Sequence, residues 1–355
     1  MFLLILITLL IIFLSGKPRF QSHMVENGLY MSRERTMMIN GFFIWIVFIQ
    51  HMKQYGLDLS IFDKKTVTLL SYMGQCCVAT FLFYSGYGIM SALHRKTGGG
   101  KYINKLIIKR LPRLLLHMTM AVCIYWLLQT LYGNSYDFAK IILAFIGWDS
   151  LGNSNWFICV TLIGYILIAV AYWSSHRFGE NIFLVTVTIL FIALICVLIQ
   201  CNKGTYWYNT CLCIPAGMAY CRNRLMIEKV VKYTRIPAWI HGGILVCGAL
   251  ILYRILRSIP YLNNISAIIF ALGVTMVFSC ISLKRIPVVL SWSGGAGLFY
   301  LYIFQRVPMI IGANHEWQQY STFLYQLFCF VITLLLAFGA SILFSKIDSV
   351  IFKKE

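Results

Sequence analysis

Residues 182–200 read IFLVTVTILFIALICVLIQ, an apolar run without a charge whose only polar side chains are Thr186, Thr188 and Gln200. As a helix it would be about 28 Å long at ~1.5 Å per residue, close to the roughly 30 Å hydrocarbon thickness of a bilayer. A helix on the surface of a soluble core shows a polar face, and this run has none at helical spacing. Outward from it, ten more stretches approach the same standard: 2–15, 36–52, 66–93, 114–132, 156–173, 210–221, 238–256, 265–283, 288–311 and 323–344. The run at 210–221 is short and has a possible earlier start at Tyr206-Trp207-Tyr208. The expected fold is all-α, a polytopic transmembrane helix bundle of about eleven spans.

Composition points the same way. Hydrophobic residues make up 60% of the 355 and charged residues 12%, against about 45–50% and ~25% in soluble domains. The mean hydropathy is +0.78. No polar stretch is long enough to enclose a core of its own, so the chain divides into an N-terminal anchor helix and linker over 1–35 and one membrane domain over 36–355. The 2–15 run lacks a basic segment before it and a small-residue cleavage site after it. With Lys17 and Arg19 behind it, it reads as an anchor whose N-terminus lies outside.

The net charge of +19 would suggest nucleic acid in a soluble chain, but here the charges lie between apolar runs and set topology. Counted on alternate loops, 22 of the 30 basic residues fall on one side, in clusters such as Lys101 to Arg113 and Arg222 to Arg235. The other side has Lys53, Lys64, Lys65, Lys140, Lys203, Arg254, Arg257 and Arg306. Basic loops stay in the cytoplasm, which puts the C-terminus inside a plasma membrane and argues against nucleic acid as a partner. Gly98-Gly99-Gly100 reads as a flexible point in the second cytoplasmic loop. Most of the twelve cysteines sit in apolar runs, where a thiol acts as a small apolar group. Cys211 and Cys213 lack the second ligand pair of a zinc site, so no metal is expected.

Ionisable groups at membrane depth are costly and mark function. None of the eleven Asp and Glu falls inside an expected span, which disfavours a proton-coupled pump. Of the histidines, His51, His117 and His241 lie in spans or at their ends. His117 and His241 fall near cytoplasmic ends. His51 lies about 14 residues beyond Met37, roughly 21 Å along the axis and past the midplane.

The stretch MINGFFIWIVFIQHM, Met38 to Met52, resembles the first core helix of the acyltransferase 3 family, membrane enzymes that acylate sugar hydroxyls. In that pattern a basic residue precedes a histidine by eleven positions; here the two places hold Asn40 and His51. Eleven residues turn a helix about 20° beyond three full turns, so both share one face, ~16 Å apart. FLFYSGYGI is similar to the family's aromatic run ending in Ser-Gly-Tyr, with Ser85 and Gly86 small enough for close helix approach. KRLPRLL, with Arg110 and Arg113, looks like its paired arginines at a helix start, and NSNWFICVTL like its Trp-Phe start around Asn155 and Trp156. GAGLFYLYIFQRVP resembles a C-terminal pattern in which Gln305 stands where histidine is common. The resemblance covers residues 36–344 and implies a ten-helix core, with the first helix an addition.

The resemblance implies that acyl-coenzyme A, acetyl-coenzyme A above all, serves as co-substrate on the cytoplasmic side, with a carbohydrate hydroxyl as acceptor. Imidazole titrates near pH 6.5, which makes His51 the expected general base. Arg110 and Arg113 are the candidates for the donor's phosphates, since arginine binds them bidentately and keeps its charge. The same cluster is also what cytoplasmic loops carry for topology alone. Asn40 supplies hydrogen bonds but no charge, leaving compensation to Arg33 or Arg35. Ser85, Trp156, Gln305 and Arg306 are further candidates for substrate contact. Trp148, Trp156, Tyr206, Trp207, Tyr208 and Trp317 suit either sugar stacking or an interfacial belt, and His315-Glu316 is a possible second acid/base pair. Two other readings remain open: a transporter or flippase with Arg254, Arg257 and Arg306 on an anion path, and a non-catalytic sensor of the same fold.

Overall fold

A computed structural model describes residues 2–21, 24, 26–55, 73–95 and 98–352. Lys64, Lys65, the start of the 66–93 span, Lys96, Lys353, Lys354 and the Arg257 side chain lie outside the described residues. One-turn helices and 3-10 turns are left unlabelled below.

Helix α1 covers Phe2–Ser15, followed by a short strand β1, Pro18–Phe20. Then come α2, Arg33–Met52, and α3, Gly74–Arg95. Helix α4 runs unbroken over Gly99–Leu131, and a two-turn α5, Phe138–Phe145, follows it. The middle of the chain supplies α6, Trp156–Ser175, α7, Glu180–Gln200, and α8, Cys213–Tyr233. After α9, Ala238–Ile255, and α10, Asn263–Ser279, comes strand β2, Ile281–Leu283. The last helices are α11, Val288–Gly294, α12, Leu298–Phe304, α13, Arg306–Asn314, and α14, Thr322–Ile351. The chain is an all-α, multi-pass membrane protein apart from the antiparallel pair β1–β2, in which Arg19 faces Ser282.

Each of the eleven expected stretches coincides at least in part with a helix. Seven helices among the described residues have the length and apolarity of a crossing, or eight if the bent run from α11 to α13 counts as one. Helix α1 falls short at 14 residues. Helices α2 and α8 carry charged ends, Arg33-Glu34-Arg35 in one and five charges from Arg222 to Lys232 in the other.

Four expectations change. The basic segment before residue 114 is part of α4, so Arg110 and Arg113 lie within a continuous helix and not at its start. Pro112 has no N–H and crowds the carbonyl four residues back; the turn before it, Leu106–Arg110, widens to a π-helix, a geometry that often marks functional sites. The glycine run 98–100 is not a loose point. Gly98 takes φ 115° ahead of α4, and a Cβ at Gly99 or Gly100 would press on the rings of Tyr172 or Trp173. The 210–221 span starts at Cys213, not at the Tyr206 aromatics, and continues to Tyr233. The 288–311 span is broken after Gly294 and bends by 66°.

The break has a packing cause. A Cβ on Gly41 of α2 would strike the Leu290 carbonyl, and one on Gly294 would strike the Met37 carbonyl, so α2 and α11 touch backbone to backbone. Trp45 Nε1 donates to Ser293 Oγ across the same contact at 3.3 Å. Gly86 of α3 and Gly217 of α8 meet in the same way, as do Gly242 of α9 and Gly273 of α10. Small residues permit such approach where apolar lipid gives helices little reason to associate.

Candidate functional site

One stripe of α2 organises the interior. Arg33, Thr36, Met37 and Asn40 line a cavity of about 500 Å³, and Val47, Gln50, His51 and Gln54 line another of about 520 Å³ toward the other end of the helix. Their spacing of three and four residues puts them on one helix face. The shared face of Asn40 and His51 is therefore real, and each opens into a different chamber. Tyr302 of α12 lines both chambers and stands between them.

The chamber at the Arg33 end is basic. Arg110, Arg113 and Ser85 line it together with Asn40, and with Arg33 they also line an adjoining cavity of about 720 Å³ that adds Arg95, Lys105 and Lys109. The π-turn aims Arg110 over the Tyr165 ring, 5.1 Å from its centroid. Arg113 Nε lies 3.2 Å from Asp348 Oδ2, and the other oxygen of Asp348 is 2.9 Å from His117 Nε2. Asp348 sits four residues past the last apolar run, on the end of α14, and escaped the sequence reading. Arg33 faces the chamber, whereas the Arg35 guanidinium donates to the Ile281 carbonyl of β2 at 2.9 Å. Only the first of the two can compensate for Asn40, whose buried Oδ1 has no partner.

The second chamber holds His51, Trp156 and Arg306. His51 is 8% exposed, so it is not a surface histidine at a water interface. Its Nε2 is 3.5 Å from Ser154 Oγ, and its Nδ1 has no hydrogen-bond partner. Its ring meets the Tyr302 ring edge-on at 6.1 Å. Gln305 and Arg306 are its other polar neighbours. Gln305 is buried; its Nε2 donates to the Tyr302 carbonyl at 2.9 Å, leaving Oε1 unpartnered. Arg306 donates to Gln54 Oε1 and, at 3.5 Å, to the Gly152 carbonyl.

Trp156, Tyr206 and Trp207 line this chamber, with Trp207 and Trp148 holding Lys203 Nζ between their rings at 4.8 and 4.6 Å. Tyr208 is buried. His315 stacks on Trp317 and Glu316 accepts from Gln319, so that pair turns to its own loop and lines neither chamber. Arg254 lies on α9 and lines neither. Tyr302 and Ser154 are residues of the second chamber that the sequence does not single out. The polar loop DSLGNSN ahead of the Trp-Phe helix start was the available signal for Ser154.

The candidate site residues therefore fall into two groups: Asn40, Ser85, Arg110 and Arg113 at the basic end, and His51, Trp156, Gln305 and Arg306 beyond Tyr302. Compared with known proteins, the chain matches the acyltransferase domain of the acyltransferase 3 family over residues 39–342. No curated protein and no solved structure gives a significant match.

Proposed function

The chain belongs to the acyltransferase 3 family, and from that membership we propose that it moves an acyl group, acetyl in the first instance, from acyl-coenzyme A to a hydroxyl of a cell-surface or exported glycan or of its lipid-linked precursor. The membrane acyltransferase is the premise; the donor, the acyl group and the acceptor are the proposal. The observation that carries it is the pair of chambers meeting at Tyr302, one basic and one holding a buried histidine with an unpartnered nitrogen.

The donor has a pyrophosphate and a ribose phosphate. Arg33, Arg110 and Arg113 supply three fixed charges for them, and charge-assisted contacts of this kind are the strong ones. The pantetheine arm then reaches past Asn40 toward Tyr302. In the other chamber Trp156 and Tyr206 offer ring faces of the sort that stack on sugars. His51 removes the proton of the acceptor hydroxyl, which is otherwise a poor nucleophile near neutral pH. The oxygen attacks the acyl carbonyl, and the proton held by His51 passes to the leaving group. The basic end is assigned to the cytoplasm of a plasma membrane and the His51 end to the outer side, by the bias of basic loops.

Purified protein supplied with acetyl-labelled acetyl-coenzyme A and membranes of the producing cell should release coenzyme A thiol and place label in carbohydrate. Binding of the coenzyme without thiol release or label would replace the enzyme by a sensor. Movement of a lipid-linked sugar across vesicles without acylation would replace it by a flippase.

A further inference from the structure

We propose that Ser154 is a covalent way-station, forming an acyl-serine ester between donor and acceptor; this rests on the acyltransferase reading above. Four observations converge on Ser154. Its Oγ is buried and lies 3.5 Å from His51 Nε2, so the hydroxyl can donate to the ring nitrogen. Nucleophile and base are often this loose in the absence of substrate.

The base has an orienting group. Gln305 lies against His51; its Nε2 is committed to the Tyr302 carbonyl, and its Oε1 and the ring's Nδ1 are both unpartnered at rest, so the Nδ1–H tautomer is the one that Oε1 can accept from as the reaction draws them together. That tautomer leaves Nε2 as an acceptor facing Ser154. Serine, histidine and an orienting amide form the nucleophile–base–orienter set that covalent acyl transfer requires.

The serine is held in place without spending its hydroxyl on the loop. Asn155 Nδ2 donates to the Ala144 carbonyl at 3.2 Å and to the Asp149 carbonyl, and Ser150 Oγ donates to the Asn153 carbonyl. Finally, groups for a developing oxyanion are present. Tyr302 has a buried hydroxyl without a partner, and Ser154 lies directly before the N-cap of the 20-residue α6, whose first turn has no side-chain cap. Preorganised donors of this kind stabilise the tetrahedral species of acyl transfer.

The chemistry closes in two steps. In the first, His51 Nε2 takes the Ser154 proton, Oγ attacks the thioester carbonyl, the C–S bond breaks, and sulfur takes the proton from His51 to leave as coenzyme A thiol. In the second, the acceptor hydroxyl gives its proton to His51 Nε2, its oxygen attacks the Ser154 ester, the C–Oγ bond breaks, and Oγ takes the proton back. Donor and acceptor then never have to meet, which suits substrates that approach Tyr302 from two chambers.

The test is to incubate the purified full-length protein with acetyl-coenzyme A and no acceptor, then to measure the mass of the peptide bearing Ser154. One added acetyl per protein is expected, removed on adding acceptor. Ser154→Ala should lose the adduct and lower transfer by orders of magnitude while still binding acetyl-coenzyme A, which also reports that it folds. Ser154→Cys should trap the acetyl as a thioester cleaved by neutral hydroxylamine. Near-normal transfer by Ser154→Ala, or transfer by the unmodified chain with no acetyl found on Ser154 and none trapped by the cysteine variant, would overturn the inference and leave the enzyme standing. An unmodified chain that neither releases thiol nor transfers acetyl would overturn both.

Discussion

The two chambers handle their polar groups in opposite ways. In the basic chamber most charges already have company: Arg113 pairs with Asp348, Asp348 with His117, and Arg110 lies on Tyr165. Beyond Tyr302 the groups are held in place but unmatched, as His51 Nδ1, Gln305 Oε1 and the Tyr302 hydroxyl show. A buried polar atom left without a partner costs about 1–3 kcal/mol. A fold tolerates that where a ligand or a transition state completes the set. On the proposed reading the basic chamber holds a charged molecule in its ground state, and the His51 chamber is completed only during reaction. Asn40 is the exception, an unmatched acceptor on the basic side.

If that contrast is correct, damage to the two chambers should separate cleanly in kinetics. The largest effect belongs to His51. His51→Ala should lower turnover by about 10²–10⁴-fold with donor affinity retained, since the arginines lie at the other end of the α2 stripe. His51→Gln preserves size and a hydrogen bond but cannot take a proton, so it should fail equally. Transfer and acetyl-coenzyme A binding measured on the same preparations decide the matter. Near-normal turnover of His51→Gln removes the base, and joint loss of binding and turnover makes His51 a packing residue.

The arginines should show the reverse pattern. Replacing Arg110 and Arg113 together by Gln removes a charge-assisted hold on the phosphates worth about 1.5–3 kcal/mol, so the KM for acetyl-coenzyme A should rise roughly 10- to 100-fold. Turnover at saturation should change far less. An unchanged KM would reduce both residues to topology signals and end the contrast between the chambers.

The smallest effect is on rate and the most informative on sidedness. Single cysteines at Lys101 and Lys229, which are exposed at the basic end, should be protected from an impermeant reagent in intact cells once native thiols are replaced. A cysteine at Lys140 should react. Lys203 is a poor reporter because Trp148 and Trp207 enclose its amine. Labelling at Lys101 but not at Lys140 would invert the assignment of chambers to membrane faces.

Much of this was legible because lipid simplifies the code. Apolar length marks the helices, and helical periodicity along α2 puts Asn40 and His51 on one face from the sequence alone. What failed to show was contact across long separations. Ser154 lies 103 residues from His51, and nothing local in either stretch announces the other. Asp348 lies on the same helix but four residues past the apolar run that marks its span, where hydropathy gives no sign of a membrane carboxylate. The interruption after Gly294 was hidden for a different reason. An apolar run reads as continuous, and the need for Gly294 arises from Gly41 on another helix. Helix α4 began earlier than hydropathy suggests because long basic side chains can keep their heads in water while the backbone stays helical.

The wall at Tyr302 has an electrical meaning. A membrane potential acts on any charge carried from one chamber to the other, by about 2.3 kcal/mol per elementary charge per 100 mV. In the proposed scheme the acetyl group leaves sulfur and a proton from the acceptor side replaces it there, so the exchange carries no net charge past Tyr302. In that scheme the phosphates stay with the arginines. Chemistry arranged in this way moves matter across the field and no net charge, so voltage neither drives it nor holds it back. A carrier using the same chambers for an anionic cargo would couple every cycle to that field.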